Sequence, residues 1–176
     1  MVEPMLVVFA YETLHLDAKQ LGFILGLSSI GLLVGSLVSP FLSRRLGLGR
    51  CIALSTFLLA LGFATLPLAA YGMPQFVLCA SWFCKALSWP IYNINQLALR
   101  QAITPIELQG RMNATMRTIF WSVIPVGSLM GGILVENIGM TATFLSAGAI
   151  GLLAVMLVVV GPVFPISDPP SQQAQV

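Results

Sequence analysis

Charge is the scarcest property of this chain. Only 8% of its 176 residues are charged, whereas a typical soluble domain carries about 25%. The mean hydropathy is +0.94, and 57% of the residues are hydrophobic. So few charged groups cannot cover a soluble surface of normal polarity, and this hydrophobicity excludes a disordered chain. The sequence therefore predicts an integral membrane protein.

Other scarcities exclude whole classes of function. Eight basic and six acidic residues leave a net charge of +2, too little for a nucleic-acid-binding surface. One histidine, His15, and three scattered cysteines form neither a metal site nor a disulfide framework, so no metal or cofactor is expected. The predicted membrane helices also contain no acidic residue, and an intramembrane protease needs such groups or a Ser/His pair. We therefore do not expect an enzyme.

Long apolar stretches are abundant instead. A helix needs about 20 apolar residues to cross a bilayer, and five stretches have that character, one of them interrupted by Lys85. Lipid cannot satisfy backbone polar groups and the stretches do not alternate as barrel strands do, so we expect helices. The predicted fold class is an all-α, polytopic transmembrane helix bundle. Its five full spans are residues 21–42, 51–73, 74–99, 118–135 and 137–167, with the last helix ending near Val160.

The first residues give a shorter apolar signal. Residues 5–11 lie between Glu3 and Glu12, too short a run to span a bilayer, and Glu3 does not fit a signal peptide. We interpret this run as the end of a partial first helix; an interfacial segment is the alternative. The predicted organisation is a six-helix half-bundle over residues 1–166, followed by a disordered cytoplasmic tail over 167–176.

Basic residues concentrate in two loops on the same predicted side of the membrane: Arg44, Arg45 and Arg50 in the first, and Arg100, Arg111 and Arg117 in the second. The positive-inside rule makes that side cytoplasmic. We therefore expect a multi-pass protein of a cell membrane, most simply the bacterial inner membrane, with a cytoplasmic C-terminus and basic turns that meet membrane lipid. The residues of interest are Arg44, Arg45, Gly47 and Arg50 in the first loop, and Pro105, Glu107, Gly110 and Arg111 in the second.

The second loop has the form of a capping box. Thr104 would be the N-cap residue, Pro105 the first helical residue and Glu107 the third. This pattern predicts a short surface helix that reaches Arg111.

Residues 74–99 form the most polar span. Polar and aromatic side chains recur there at three- and four-residue steps and so share one helix face. Lys85 at membrane depth should face protein or water, and Pro90 should kink the helix. We interpret the stripe as the lining of a solute pathway; alternatively Lys85 snorkels to the interface and Trp82 belongs to an aromatic belt. The candidate pathway residues are Lys85, Ser88, Trp89, Tyr92, Asn95 and Gln96.

The remaining spans differ in their small residues. Spans 51–73 and 137–167 are the least polar and read as a lipid-facing scaffold. Spans 21–42 and 118–135 contain GxxxG spacings, which favour close helix packing. The alternative is that these glycines expose backbone to a cavity. The glycine pairs are Gly22/Gly26, Gly31/Gly35 and Gly127/Gly131.

The order of spans and loops resembles the C-terminal half of a major facilitator superfamily transporter over nearly the whole chain. It is most similar to the branch of bacterial exporters that includes the enterobactin exporter. Residues 40–50 resemble the family's loop motif, although Pro40 and Arg44 replace its first glycine and its aspartate. The second-loop pattern Pro-x-Glu-x-x-Gly-Arg, residues 105–111, is the closer match.

The resemblance implies a function. A transporter of this family moves its solute by alternating access, as two six-helix halves rock around a midplane site. We therefore expect half of a secondary active transporter for a small organic solute, in the direction of export. Its partner would be the missing N-terminal half, in the same full-length chain or in a separate chain. A non-transporting membrane subunit or a truncated relic of a transporter is the alternative.

Overall fold

The computed structural model describes residues 2–70 and 74–166, and these contain helices and turns but no strand. The predicted all-α helix bundle is therefore confirmed. The tail predicted over residues 167–176 lies outside the described residues. The helices are α1 (Val2–Val8, continued by a π-helical turn, Phe9–Thr13), α2 (Ala18–Ser28), α3 (Ile30–Leu46), α4 (Leu48–Thr65, continued by a 3-10 turn, Leu66–Ala70), α5 (Pro74–Ile103) and α6 (Ile106–Val160).

Three stretches of the described chain are long and apolar enough to cross a membrane: Ala18–Leu46, Leu48–Ala69 and Ile106–Val160. The third has 55 residues and is interrupted at Gly139, where φ is 81° and ψ is 166°. It therefore corresponds to two of the predicted spans, and it ends at Val160 as predicted. Helix α5 has 30 residues, or about 45 Å, which is long enough to cross a bilayer. It is more polar than the three stretches named above and is not among them.

The helices alternate in direction around α5. Helix α3 runs parallel to α5, and α4 runs antiparallel to it, with Gly62 near the carbonyl of Ser81. The part of α6 after Gly139 packs antiparallel to α4. The two breaks that separate these helices, Gly47 (φ 85°, ψ 163°) and Gly139, have nearly the same left-handed geometry. Because this region of φ favours glycine, a single residue separates the helices at each break.

The main cluster of buried apolar side chains lies at the end of the bundle away from the arginine loops. Phe9 and Phe144 meet there edge to face, with ring centroids 5.1 Å apart, and this contact docks the first helical segment onto α6. The N-terminal segment is thus packed into the bundle. The cluster contains Met5, Leu6, Phe9, Ala10, Leu16, Leu21, Ile24, Leu66, Ala69, Leu78 and Phe144.

The two least polar spans pack on each other. Gly148 and Gly151 of α6 approach Ala64 and Ala60 of α4, so that a Cβ added to either glycine would lie 2.9 or 2.7 Å from the alanine Cβ. Helix α4 therefore lies between α5 and α6. Within the most apolar 18 residues of each stretch, the buried share is 44% in α4, 28% in Ala18–Leu46 and 22% in α6. Helix α4 is thus the most enclosed of the three because its small residues admit neighbours on two sides, while Phe57 and Leu61 stay exposed, and its lipid-facing role stays a prediction.

The start of α6 also differs from the sequence prediction. Pro105, not Thr104, is the N-cap residue, and no side chain caps the helix, so the predicted capping box with Glu107 is wrong. The helix does not stop near Arg111 as a short surface helix but continues to Gly139. Pro105 has an extended ψ of 146°, which moves the helix start by one residue. Gln109 closes the turn instead, because its Nε2 donates to the carbonyls of Gln101 and Thr104 at 3.2 and 3.3 Å.

Helices α3 and α5 approach closely at two glycines. A Cβ added to Gly31 would lie 2.8 Å from the carbonyl oxygen of Phe83, and one added to Gly35 would lie 2.6 Å from Cγ of Pro90. Helix α5 continues through Pro90 without ending. Gly22 and Gly26 have the same spacing but nothing within 4 Å of an added Cβ. Of these two pairs, only Gly31/Gly35 mediates close packing.

We expect Gly35→Ala to lower the free energy of unfolding by about 1–3 kcal/mol, because the added methyl group overpacks the α3–α5 contact. Gly26→Ala, the matched change in open space, should not lower it, because alanine is favoured over glycine in a helix by up to about 1 kcal/mol. Denaturant unfolding of the detergent-solubilised chain measures both values. Equal losses in the two variants would contradict the assignment of the close contact.

The chain beyond α6 turns back onto the junction between α3 and α4. The amide of Gly49 donates to the carbonyl of Ile166 at 3.0 Å. The guanidinium of Arg50 lies 6.0 Å from the ring centroid of Phe164. A Cβ at Gly49 would collide with the carbonyl oxygen of Val163. Residues 161–166 therefore dock at the same end of the bundle as the Arg44–Arg45 turn.

Gly49→Ala should undock this C-terminal turn. The added methyl group would meet backbone atoms, which cannot move aside as a flexible side chain can. We expect amide hydrogen exchange at residues 164 and 166 to quicken about ten-fold, the effect of a loss of about 1.4 kcal/mol. Gly110→Ala is the control, since nothing lies within 4 Å of an added Cβ there. Unchanged exchange in Gly49→Ala would show that the turn is not held by this contact.

Candidate functional site

Trp89, near the middle of α5, lines three cavities. Its side chain is 52% exposed, although α5 packs against both α3 and α4. One cavity lies toward α3, one toward α4 and one toward α6. We call them the Lys85 cavity, the Tyr92 cavity and the α5–α6 cleft.

The Lys85 cavity has a volume of about 230 Å³. It combines a cation with two indole rings, since the Nζ atom of Lys85 lies 4.0 Å from the ring centroid of Trp82. A cation over an indole face gains about 0.5–2 kcal/mol, so this arrangement keeps the ammonium group inside the bundle wall. The lining residues are Ser29, Leu32, Trp82, Lys85, Ala86 and Trp89.

The Tyr92 cavity is about 310 Å³ and is predominantly apolar. Its serine and threonine hydroxyls bond to backbone carbonyls of their own helices: Ser55 and Thr56 donate to Ile52 at 2.9 and 2.8 Å, and Ser88 donates to Cys84 at 2.6 Å. These hydroxyl protons are therefore already used, which suits an apolar occupant. The lining residues are Ile52, Ser55, Thr56, Leu59, Ser88, Trp89, Tyr92, Phe120, Ala154 and Val158.

The α5–α6 cleft is larger, about 720 Å³, and has the most polar lining of the three. Arg100 is positioned within it by Gln96, whose Oε1 accepts a hydrogen bond from Nη2 of Arg100 at 2.8 Å. The lining residues are Trp89, Asn93, Gln96, Leu97 and Arg100 on α5, and Asn113, Met116, Arg117, Phe120, Trp121 and Ile124 on α6.

Asn95 lies between helices and lines none of these cavities. It is 1% exposed, and its Nδ2 donates to Oγ of Ser39 at 3.2 Å and to the carbonyl of Ile91 at 2.7 Å. Its Oδ1 has no hydrogen-bond partner among residues 2–70 and 74–166. The bond to Ser39 joins α5 to α3 one turn beyond the Gly35 contact.

The six predicted pathway residues do not line a single cavity. Trp89 is common to all three cavities, and the other stripe members divide among them. Lys85 lines the first cavity, Ser88 and Tyr92 the second, and Gln96 the third, while Asn95 is buried against α3. Their role in a solute pathway stays a prediction.

Sequence reasoning missed the α6 side of the cleft. Asn113, Arg117, Phe120, Trp121 and Ile124 follow i, i+4, i+7, i+8 and i+11 spacing, the periodicity that identified the stripe on α5. Searching for this spacing across residue 118, where the predicted span begins, would have found these α6 residues. Arg100 and Arg117 were interpreted only as loop charges.

The loop residues lie at one end of the bundle. Arg45 stacks over the ring of Phe41 at 4.6 Å, and Gly47 supplies the left-handed residue between α3 and α4. The other six loop residues are all exposed: Arg44, Arg50, Pro105, Glu107, Gly110 and Arg111.

A double-mutant cycle tests the Asn95–Ser39 bond. Asn95→Ala and Ser39→Ala should show a coupling free energy of about 0.6 kcal/mol, the average for interhelical hydrogen bonds in membranes. The control pair is Asn93→Ala with Ser39→Ala, because Asn93 bonds to Trp89 on its own helix. That pair should be additive, with both cycles measured by denaturant unfolding in detergent. Additivity in the Asn95 cycle would contradict the bond.

These features together define a polytopic helical membrane protein with cavities arranged around one central helix. The family model of the Major Facilitator Superfamily matches residues 1–175, and the chain belongs to this family. Membership points to a transporter rather than to an enzyme. It confirms the family resemblance found in the sequence, whereas the branch of the enterobactin exporter stays a prediction.

Curated relatives share the similarity over most of this chain. It is 31% identical over 155 residues to the multidrug efflux pump Tap of Mycolicibacterium fortuitum, covering 84% of this chain and 36% of the relative. It is 32% identical over 154 residues to the proteins of that name from Mycobacterium bovis and Mycobacterium tuberculosis, covering 84% of this chain and 35% of each relative. The chain thus spans about a third of the length of these relatives. No solved structure matches it.

Proposed function

We propose that this chain is the C-terminal half of a secondary active transporter that exports a small organic solute by alternating access. The family match and the similarity to proteins named as multidrug efflux pumps support this proposal. The two halves of such a transporter rock around a site near the midplane. The missing N-terminal half, in the same chain or a separate one, would supply the opposite wall of the pathway.

The observation that carries the proposal is the position of Trp89. A residue near the middle of a membrane-length helix that borders three cavities is well placed to contact a solute as the surrounding helices move. Indole rings bury large apolar areas while keeping one polar N–H group. Trp89 and its neighbours therefore suit an amphipathic organic molecule better than a sugar.

The orientation that we propose follows from the charged end of the bundle. The arginine turns at α3–α4 and α5–α6 and the docked residues 161–166 lie at that end. The positive-inside rule assigns it to the cytoplasm. The protein would then be a multi-pass protein of a cell membrane, most simply the bacterial inner membrane, with a cytoplasmic C-terminus and anionic lipid around its basic turns.

Substitutions in the polar stripe of α5 test whether it lines the solute pathway. In the complete protein, Lys85→Ala and Gln96→Ala should each reduce efflux of fluorescent amphipathic compounds from cells by about ten-fold or more, the effect of about 1.4 kcal/mol of lost interaction. The controls are Lys19→Ala and Asn137→Ala, because both side chains are exposed and line none of the three cavities. Full activity with both Lys85 and Gln96 changed would overturn the pathway assignment.

The size of the native product separates the proposal from the non-transporting alternatives. A C-terminal tag at the native locus should report a membrane-bound product at least about twice 18.8 kDa, because a transporter of this family needs two half-bundles. A product near 18.8 kDa that has no partner chain and no transport activity would favour a relic or a non-transporting subunit.

A further inference from the structure

The α5–α6 cleft carries positive charge that no carboxylate in its lining offsets. Arg100 contributes one guanidinium from α5 and Arg117 a second from α6. The rest of the lining consists of amide, thioether, aliphatic and aromatic side chains. Glu107 is the only acidic residue of the sequence between Asp17 and Glu136, and it does not line the cleft. The cleft is therefore electrostatically suited to an anion.

The two guanidinium groups retain donors for a ligand. Arg100 is half-buried, and Gln96 accepts from its Nη2 at 2.8 Å and, through the backbone carbonyl, from its Nε at 3.5 Å. A guanidinium has five N–H donors, so further donors remain after both bonds. Arg117 is exposed. An oxyanion such as a planar carboxylate, or a tetrahedral sulfonate or phosphate, can accept paired hydrogen bonds from the fork of N–H donors on an arginine.

The opposite end of the cleft is aromatic and apolar. Trp89 is 52% exposed, Phe120 46% and Trp121 65%, so their rings are available for contact. Helix α5 runs from Trp89 to Arg100 along the cleft, and α6 returns from Asn113 to Ile124 in the opposite direction. The lining is therefore polar toward the turn that joins the two helices and aromatic toward the other end, and Arg117 lies about one helical turn before Trp121.

We propose that the α5–α6 cleft binds an amphipathic organic anion. Its carboxylate, sulfonate or phosphate group lies between Arg100 and Arg117, and its apolar or aromatic body lies against Trp89, Phe120 and Trp121. The volume of about 720 Å³ falls within the usual range of small-molecule sites, about 300–1,000 Å³. This inference rests on the proposed function and narrows it, because it assigns a sign of charge to the solute.

Direct binding tests the inference without requiring transport. The 176-residue chain is reconstituted in phosphatidylcholine nanodiscs and titrated with three probes that share one aromatic body: dansylglycine (anionic), dansylamide (neutral) and dansylcadaverine (cationic). Energy transfer from tryptophan to dansyl reports binding, with protein-free nanodiscs as the blank. We expect dansylglycine to bind at least about ten-fold more tightly than dansylcadaverine. Equal affinity for the three probes overturns the proposal.

Arginine variants locate the site. Arg117→Gln should weaken dansylglycine binding about ten-fold, because it removes a charge-assisted contact of about 1.4 kcal/mol, and should leave dansylamide binding unchanged. Arg111→Gln is the matched control, since Arg111 is exposed on the same helix but does not line the cleft. An equal effect of both substitutions, or no effect of Arg117→Gln, overturns the assignment.

A measurement on the unmodified chain guards against misfolded variants. High NaCl should weaken dansylglycine binding and leave dansylamide binding unchanged, because salt screens the ionic contact; salt-independent binding of dansylglycine contradicts the proposal. Adding phosphatidylglycerol to the nanodiscs distinguishes two sources of the anion. Competition that depends on Arg117 assigns the cleft to a lipid headgroup, and undiminished binding assigns it to a free solute. If the 176-residue chain binds the anion but the complete protein, with both halves present, does not transport, the proposed function alone is refuted.

Discussion

The close approach of α3 to α5 is the contact on which the rest of the bundle depends. Lipid tails are as apolar as leucine side chains, so helices in a membrane are held by van der Waals packing and interhelical hydrogen bonds. Gly31 and Gly35 allow backbone contact with α5, and the bond from Asn95 to Ser39 joins the same helices one turn further on. Once α5 is fixed against α3 and α4, Trp89 lies where three cavities meet.

The two ends of the bundle are stabilised by different interactions. One end holds the apolar cluster around Phe9 and Phe144. The other holds the arginine turns and the C-terminal turn, which docks through backbone contacts at Gly49. The α5–α6 cleft runs from the arginine-rich end toward the middle of the bundle. In the proposed orientation, Arg100 lies toward the cytoplasmic edge of the membrane, where a charge is less costly, and Trp89 lies deeper.

Much of the fold was predictable because its cause is local. Hydropathy located the membrane helices, and apolar length followed by Pro162 explains why the last helix ends at Val160. Prediction failed where a choice depended on neighbours. The residues from Thr104 to Glu107 match the capping-box pattern. In the structure, however, Pro105 adopts the extended cap conformation, and Gln109 donates to the nearby carbonyl of Thr104. The composition of α4 likewise did not show that Ala60 and Ala64 receive the glycines of α6.

The sequence by itself determined the helical membrane character and a polar face on α5, because composition and periodicity act within one segment, and the order of its spans and loop motifs carried the family resemblance. Only the tertiary structure decided what each face meets. It selected Gly31/Gly35 over the identically spaced Gly22/Gly26 for close packing. It divided the stripe on α5 among three cavities and brought Arg117 to the same cleft as Arg100. Periodicity defines a helix face, but the partner of that face is set by how the chain reverses between helices.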